Sequence, residues 1–233
     1  QVIDMFGVID PTLAKRHVPN FGKGKPGPEK MAEPEGVLAM RPTFVPLHMI
    51  PGDLWQRGYF LRGDVPRDTY EGIWQRDELL ERGTILSATR VSFDAERPAG
   101  WSGRGTAFDS WPSHSRWNGQ GELVGAAGGF INTFHPALGN TATGELESAP
   151  FPLLGDELLF RLAGGDDPTN LRVELVVDSV VVHQTTGRRG DHLSRRAWDI
   201  APLRGKLGVL RIVDQAIGTW GYLALDEIMQ VRY

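Results

Sequence analysis

The sequence contains no cysteine, which excludes disulfide bonds, thiolate catalysis and zinc–thiolate sites. It also lacks a basic excess, because 25 Lys and Arg residues are outnumbered by 29 Asp and Glu residues. A nucleic-acid partner is therefore not expected. No apolar run approaches the roughly 20 residues that a membrane span needs, and the nearest candidate, residues 123–131, is short and rich in glycine. We expect no transmembrane segment in this sequence.

Long runs of helix-forming residues are also missing, whereas glycine (29) and proline (16) are abundant. This balance favours strands and turns over helices. The first residue is Gln1 rather than Met, which a removed signal peptide would explain, as would another processing event. Together with the lack of cysteine, it leads us to expect an extracytoplasmic, periplasmic location.

Residues 1–66 form an irregular, proline-rich arm with no period of 2 or 3.6. Proline blocks helix interiors and central strands, so this segment is not expected to build a core of its own. Apolar side chains are nevertheless spaced along it, and such an arm can wrap around a partner protein. The candidate partner-binding residues of the arm are Phe6, Phe21, Phe44, Trp55, Tyr59 and Phe60.

Residues 67–84 predict one short connector helix, over 68–82. Asp68 is a suitable N-cap, Glu71 follows at the spacing of a capping box, and Gly83 is suited to end the helix.

Residues 85–233 predict an all-β domain, a jelly-roll-type antiparallel β-sandwich. Alternating apolar segments recur at short intervals between Gly, Pro, Asn and Asp clusters, which is typical of this class. The predicted strand segments are 85–93, 105–111, 122–134, 144–153, 156–165, 170–186, 206–214 and 221–233. Within them, residues 173–182 predict a hairpin that turns at Asp178–Ser179.

Two clusters are candidates for partner or ligand contact. Trp111 and Trp117 could form an aromatic platform, or could cover one end of the sandwich. The segment 186–199 is interpreted as a loop whose arginines could dock an acidic partner face, could bind a small anion such as phosphate, or could pair internally with aspartate. The arginines are Arg188, Arg189, Arg195 and Arg196.

The carboxylate pair Asp226–Glu227 is the weak candidate for a metal site. Adjacent side chains of a strand point to opposite faces, so we expect no catalytic dyad, which would require two convergent carboxylates. A structural contact, a structural calcium ion held with backbone carbonyls and a sugar contact all stay open. No other cofactor is expected.

The segment from about Phe93 to Ile228 resembles the galactose-binding-like β-sandwich modules attached to bacterial levanases and related fructan hydrolases. The motifs that carry the resemblance are GWSGRGTAF (100–108), GGFINTF (128–134), TGELESAPF (143–151) and GTWGYLALDEI (218–228). The chain departs from the family at Tyr222, where His is usual, and at Glu227, where a second Asp is usual. The catalytic propeller of those hydrolases is absent, so the resemblance implies a non-catalytic module.

These observations together predict a non-enzymatic accessory subunit. Its arm and sandwich loops would dock onto the protein subunits of a larger extracytoplasmic assembly, with membrane association only through those partners. The alternative is a carbohydrate-binding module of the fructan type. A glycoside hydrolase is a second alternative.

Overall fold

The structure is a computed structural model, and it describes residues 39, 44–46, 59–61, 73–76, 83–94, 97–126 and 128–233. The chain divides into two compact units, residues 1–77 and 78–233.

The described part of the first unit is a three-stranded antiparallel sheet in the order β1-β3-β2. Its strands are β1 (Phe44–Pro46), β2 (Tyr59–Leu61) and β3 (Ile73–Arg76). The prediction of a helix over 68–82 is therefore wrong in the middle of that segment, where β3 lies. β3 contains β-branched and aromatic residues that favour strands, and it has a hydrogen-bonded neighbour on each side. The arm is likewise not irregular throughout, and Pro46 is tolerated because it lies on an edge strand.

The second unit is a sandwich of two antiparallel sheets, which confirms the predicted all-β class. The first sheet has the order β11-β10-β13-β7-β5, with β8 beside β13, and the second has the order β12-β9-β14-β4, with β6 beside β14. The strands are β4 (Thr84–Ile85), β5 (Ser102–Gly105), β6 (Ile131–Asn132), β7 (Gly144–Glu147), β8 (Phe151–Pro152), β9 (Glu157–Gly164), β10 (Leu171–Val177), β11 (Val180–Thr185), β12 (Gly190–Asp199), β13 (Leu207–Asp214) and β14 (Leu223–Arg232).

The main core lies between the two sheets, because alternate residues of each strand point inward. Both sheets contribute fully or almost fully buried side chains to it, among them Leu146, Leu175, Ile212, Leu158, Phe160 and Leu225. Burial of this apolar surface is the main stabilising contribution to the fold.

The predicted hairpin is confirmed in β10 and β11, where Val177 pairs with Val180. Asp178 (φ 52°) and Ser179 (φ 66°) are both left-handed, as in the two-residue type I′ turn that suits the twist of a hairpin. The predicted strands around β9, β13 and β14 are also confirmed.

Four local predictions are wrong. Of the predicted strand segment 122–134, only β6 is a strand among the described residues. In the predicted strand 85–93, only Ile85 belongs to a strand, β4, and a 3₁₀ turn follows at Ser87–Thr89. The predicted strand 105–111 contains a second 3₁₀ turn, Thr106–Phe108. The predicted loop 186–199 instead contains β12, the ten-residue edge strand of the second sheet. Within the described ranges there is no α-helix, and hence none of the length and apolarity that crossing a membrane requires.

Candidate functional site

Of the residues predicted to bind partners through the arm, three fall in the described strands. Phe44 lies in β1, and Tyr59 and Phe60 lie in β2. The others, Phe6, Phe21 and Trp55, lie outside the described residues. Their role as a docking surface stays a prediction.

Trp111 belongs to the core and not to a surface platform. It is 4% exposed, and its indole contacts the rings of Phe93 and Trp101 at centroid distances of 6.2 and 5.8 Å. The Arg97 guanidinium covers the same ring at 5.2 Å. Trp117 is half-buried against a second, smaller apolar cluster. A shared platform of Trp111 and Trp117 is therefore excluded, because a ring buried on all sides cannot stack on a ligand.

The four arginines do not form one patch. Arg188 and Arg189 are exposed before β12, whereas Arg195 and Arg196 lie within this strand and point to opposite faces. Arg196 is buried and donates from Nη1 to the Ser194 hydroxyl at 2.6 Å. Burial, and secondarily the charge of Arg188, lowers the pKa of Arg196 to about 10. The prediction of a single arginine loop fails because the segment pairs as a strand.

Asp226 and Glu227 do not point to opposite faces as predicted. Asp226 Oδ2 and Glu227 Oε2 lie 2.7 and 3.4 Å from the same atom, Arg161 Nη2. Glu227 Oε1 also accepts from Arg90 Nη2 at 2.7 Å. The cause is a bulge in β14 between Asp226 and Met229, with Glu227 at φ 53°. The Arg161 guanidinium thus places a positive charge beside both carboxylates, which is what a calcium ion at this pair would have done.

A cleft of about 210 Å³ opens beside β5 on the first sheet. Its lining residues come from β5 and β7 and are Ser102, Gly103, Arg104, Glu145 and Glu147. The period of β7 explains the position of its carboxylates, because Leu146 is fully buried in the core and its neighbours must face the other way.

The cleft carboxylates are held by arginines from neighbouring strands. Arg211 Nε lies 2.7 Å from Glu147 Oε1 and 3.2 Å from Glu145 Oε1. Arg211 Nη1 lies 3.1 Å from Glu174 Oε2, and Arg104 pairs with Glu145. The hydrogen bond that Arg211 donates to the Glu147 carboxylate is the main cause that raises the pKa of Arg211. The cleft therefore combines fixed acceptors with the largely exposed guanidinium of Arg104.

Sequence reasoning missed this site. The alternation in GELE (144–147) is a signal that two carboxylates share the solvent face of a strand. Nothing local shows that Arg104 and Arg211 lie beside them, because β5, β7 and β13 are far apart in the sequence.

The chain was compared with known proteins. No protein-family model matches the sequence. A protein of Aspergillus rugulosus named "Putative glycosyl hydrolase ecdE" is 32% identical over 130 residues, 55% of this chain. The match spans only 18% of the length of that protein.

Two solved structures align with part of the chain. The K3 adhesin domain of Lys-gingipain from Porphyromonas gingivalis aligns with 65% of this chain and 99% of its own, at 10% identity and a TM-score of 0.41. The GH26-CBM35 β-(1,4)-mannanase of Podospora anserina aligns with 58% of this chain and 28% of its own, at 14% identity and a TM-score of 0.27. The all-β sandwich of this chain is established by its own strand pairing.

Proposed function

We propose that residues 78–233 form a non-catalytic carbohydrate-binding module of the kind attached to glycoside hydrolases, and that the cleft beside β5 binds one sugar residue. The observation that carries the proposal is the lining of this cleft. Glu145 and Glu147 provide acceptors, Arg104 provides donors, and Ser102 can do both. A sugar ring presents hydroxyl groups that both donate and accept, so it matches this mixed lining.

The size of the cleft also suits one sugar unit. Its volume of about 210 Å³ is below the roughly 300–1,000 Å³ of pockets that enclose drug-sized ligands. β5 is the last strand in the order of the first sheet, so among the described residues one of its edges has no neighbouring strand. A polysaccharide could pass along this edge while one sugar residue enters the cleft.

A binding role is favoured over hydrolysis, although the carboxylate spacing alone would permit both. One oxygen each of Glu145 and Glu147 lies within 3.2 Å of Arg211 Nε, so these two oxygens are less than about 6 Å apart, a limit that includes the roughly 5–5.5 Å of retaining glycosidases. Such enzymes need one carboxyl group as a proton donor. Here both carboxyl groups form ion pairs with the same Arg211 Nε atom, and we propose no catalytic role.

The accessory role, with partner subunits and an extracytoplasmic location, stays a second proposal. It depends on the arm of residues 1–66, most of which lies outside the described residues. A carbohydrate-binding module attached to a secreted hydrolase would be compatible with the same location.

The test is calorimetric titration of the purified chain with levan, inulin, mannan and cello-oligosaccharides. Glu147→Gln is the variant of choice, because its side chain is 43% exposed and its replacement should leave the fold intact. A hydrogen bond to a charged group contributes about 1.5–3 kcal/mol, so we expect affinity for the bound glycan to fall at least about tenfold.

The matched control is Glu122→Gln, which removes an exposed carboxylate outside the cleft. It should bind as the unaltered chain does. Failure of every glycan to bind, or equal affinity of the Glu147→Gln variant, would reject the proposal. Release of reducing sugar would instead establish hydrolysis.

A further inference from the structure

Arg196 is a cation on the core side of an edge strand. β12 is the last strand in the order of the second sheet, and Arg196 lies two residues before Trp198, which belongs to the main core. The two side chains therefore share the face of β12 that is directed toward the first sheet. Arg196 is only 8% exposed. A charge in such a position is costly unless an opposite charge and further hydrogen bonds compensate it.

All acceptors that Arg196 contacts among the described residues are neutral. Nη1 donates to the Ser194 hydroxyl at 2.6 Å and, at 3.4 Å, to the carbonyl oxygens of Ser194 and Arg195. Nη2 donates to the Thr186 carbonyl at 3.3 Å. A neutral acceptor satisfies an N–H group without compensating the charge. Arg161, the other buried arginine in the described ranges, is instead paired with two carboxylates.

The Arg196 guanidinium retains the capacity to bind a ligand. A guanidinium has five N–H donors in a planar fork. The contacts above engage Nη1 and one N–H of Nη2, so Nε–H and the second N–H of Nη2 have no acceptor among the described residues. Two donors of one guanidinium can hold an oxyanion through two charge-assisted hydrogen bonds.

A second guanidinium adds to the positive charge near Arg196. Arg188 is exposed and follows Thr186 by two residues, and the Thr186 carbonyl is the acceptor of Arg196 Nη2. Burial is the main cause that lowers the pKa of Arg196 to about 10, and the charge of Arg188 lowers it further. The two positive charges are thus close enough to repel each other, and an anion bound to Arg196 would be attracted by both.

We propose that Arg196 and Arg188, beside the connection from β11 to β12, form a binding site for a phosphate or sulfate group. Nε and Nη2 of Arg196 would donate to its oxygens. A doubly charged oxyanion is attracted more strongly by two guanidiniums than a singly charged carboxylate is. Free phosphate and a phosphate ester present the same oxygens to the site. The site lies apart from the cleft beside β5 and does not depend on sugar binding there.

The test is calorimetric titration of the full chain with phosphate, sulfate and acetate, combined with thermal unfolding. Ionic strength is held constant with sodium chloride, which keeps the screening of charges equal in all samples. At ten times its Kd, phosphate should raise the Tm by about 3–6 °C. Sulfate should act similarly, and acetate should bind more weakly because it carries one charge instead of two.

A titration with methyl phosphate distinguishes the two sources of the anion. Affinity equal to or above that of phosphate would support the site and identify an ester as its ligand. Measurable but lower affinity would support the site with the free ion as its ligand.

Arg196→Met should abolish the difference between phosphate and chloride. We expect this variant to fold, because replacing a buried charge by an apolar side chain of similar length is often neutral or stabilising. The matched control is Lys206→Gln, which removes a positive charge that is 50% exposed and paired with Asp178, before the opposite end of β11. It should bind phosphate as the unaltered chain does. If Arg196→Met does not fold, Arg188→Gln takes its place and should weaken phosphate binding about two- to fivefold.

The absence of both binding heat and a phosphate-dependent rise in Tm would overturn the proposal. Arg196 would then only protect β12 from pairing with another chain, as inward-pointing charges on edge strands do. An equal rise in Tm in the Arg196→Met variant would overturn it as well, because the anion would then act elsewhere. Acetate binding as strong as that of phosphate would refute a doubly charged ligand.

Discussion

Asp226→Asn should destabilise the sandwich strongly, although the change is nearly isosteric. Asp226 and Arg161 are joined at 2.7 Å with side chains only 5% and 8% exposed. Removing one partner of a buried ion pair leaves the other charge without compensation, which costs about 3–5 kcal/mol. Glu227 remains 3.4 Å from the same guanidinium and compensates part of its charge, so we expect about 3 kcal/mol, the lower end of that range.

Glu227→Gln is the matched control for that prediction, because it removes the other carboxylate that contacts the Arg161 guanidinium. The shorter contact of Glu227, at 2.7 Å, is with Arg90, whose side chain is 50% exposed. Exposed ion pairs contribute at most about 1 kcal/mol. The two neighbouring carboxylates should therefore differ by about 2 kcal/mol in their effect on the free energy of unfolding.

The measurement is urea unfolding followed by tryptophan fluorescence, with thermal unfolding as a second probe. A loss of about 3 kcal/mol corresponds to a Tm decrease of roughly 6–12 °C for a domain of this size. The double variant Arg161→Met/Asp226→Leu should recover most of the loss, since an apolar pair can replace a buried ion pair at little cost. Equal effects of Asp226→Asn and Glu227→Gln would refute the reasoning.

Three further predictions concern the core, the hairpin and the response to acid. Leu175→Ala, at a fully buried core position, should lower the free energy of unfolding in urea by about 2–5 kcal/mol. Ser179→Gly should raise the Tm by a few degrees, because Ser179 at φ 66° occupies a conformation that costs an L-residue about 1–2 kcal/mol. Asp94 accepts from the Ser92 hydroxyl at 2.6 Å and the Gly129 N–H at 2.9 Å, and these bonds lower its pKa. Its stabilising contribution is therefore complete above the unfolded-state pKa and is lost as pH falls through the lower folded-state value. Asp94→Asn should make the free energy of unfolding less sensitive to pH below about 4, and an unchanged acid response would contradict this.

The local predictions that succeeded rest on information contained in short segments. The hairpin of β10 and β11 was predicted from two apolar runs around Asp178–Ser179, because side-chain period and turn chemistry are both properties of adjacent residues. The alternation of apolar and polar residues in β9, β13 and β14 was sufficient to predict these strands for the same reason. Together these strands were enough to predict an all-β sandwich.

The local predictions that failed depended on pairing between distant segments. A helical pattern around Ile73–Arg76 was overridden because β1 and β2 provide hydrogen-bonding partners on both sides. The predicted loop around Arg196 became an edge strand because β9 is available to pair with it. Propensity over a few residues cannot outweigh a complete set of interstrand hydrogen bonds.

What the sequence determined by itself was the period of the strands, the turn of the hairpin and the exclusion of thiol chemistry. The tertiary structure alone decided which side chains meet. The bulge in β14 brings Asp226 and Glu227 to one guanidinium. The packing of the core buries Trp111, and the strand order places Arg104 and Arg211 beside the carboxylates of β7. The physical reason is that strand period is encoded in neighbouring residues, whereas register and strand order arise from contacts between residues far apart in the chain.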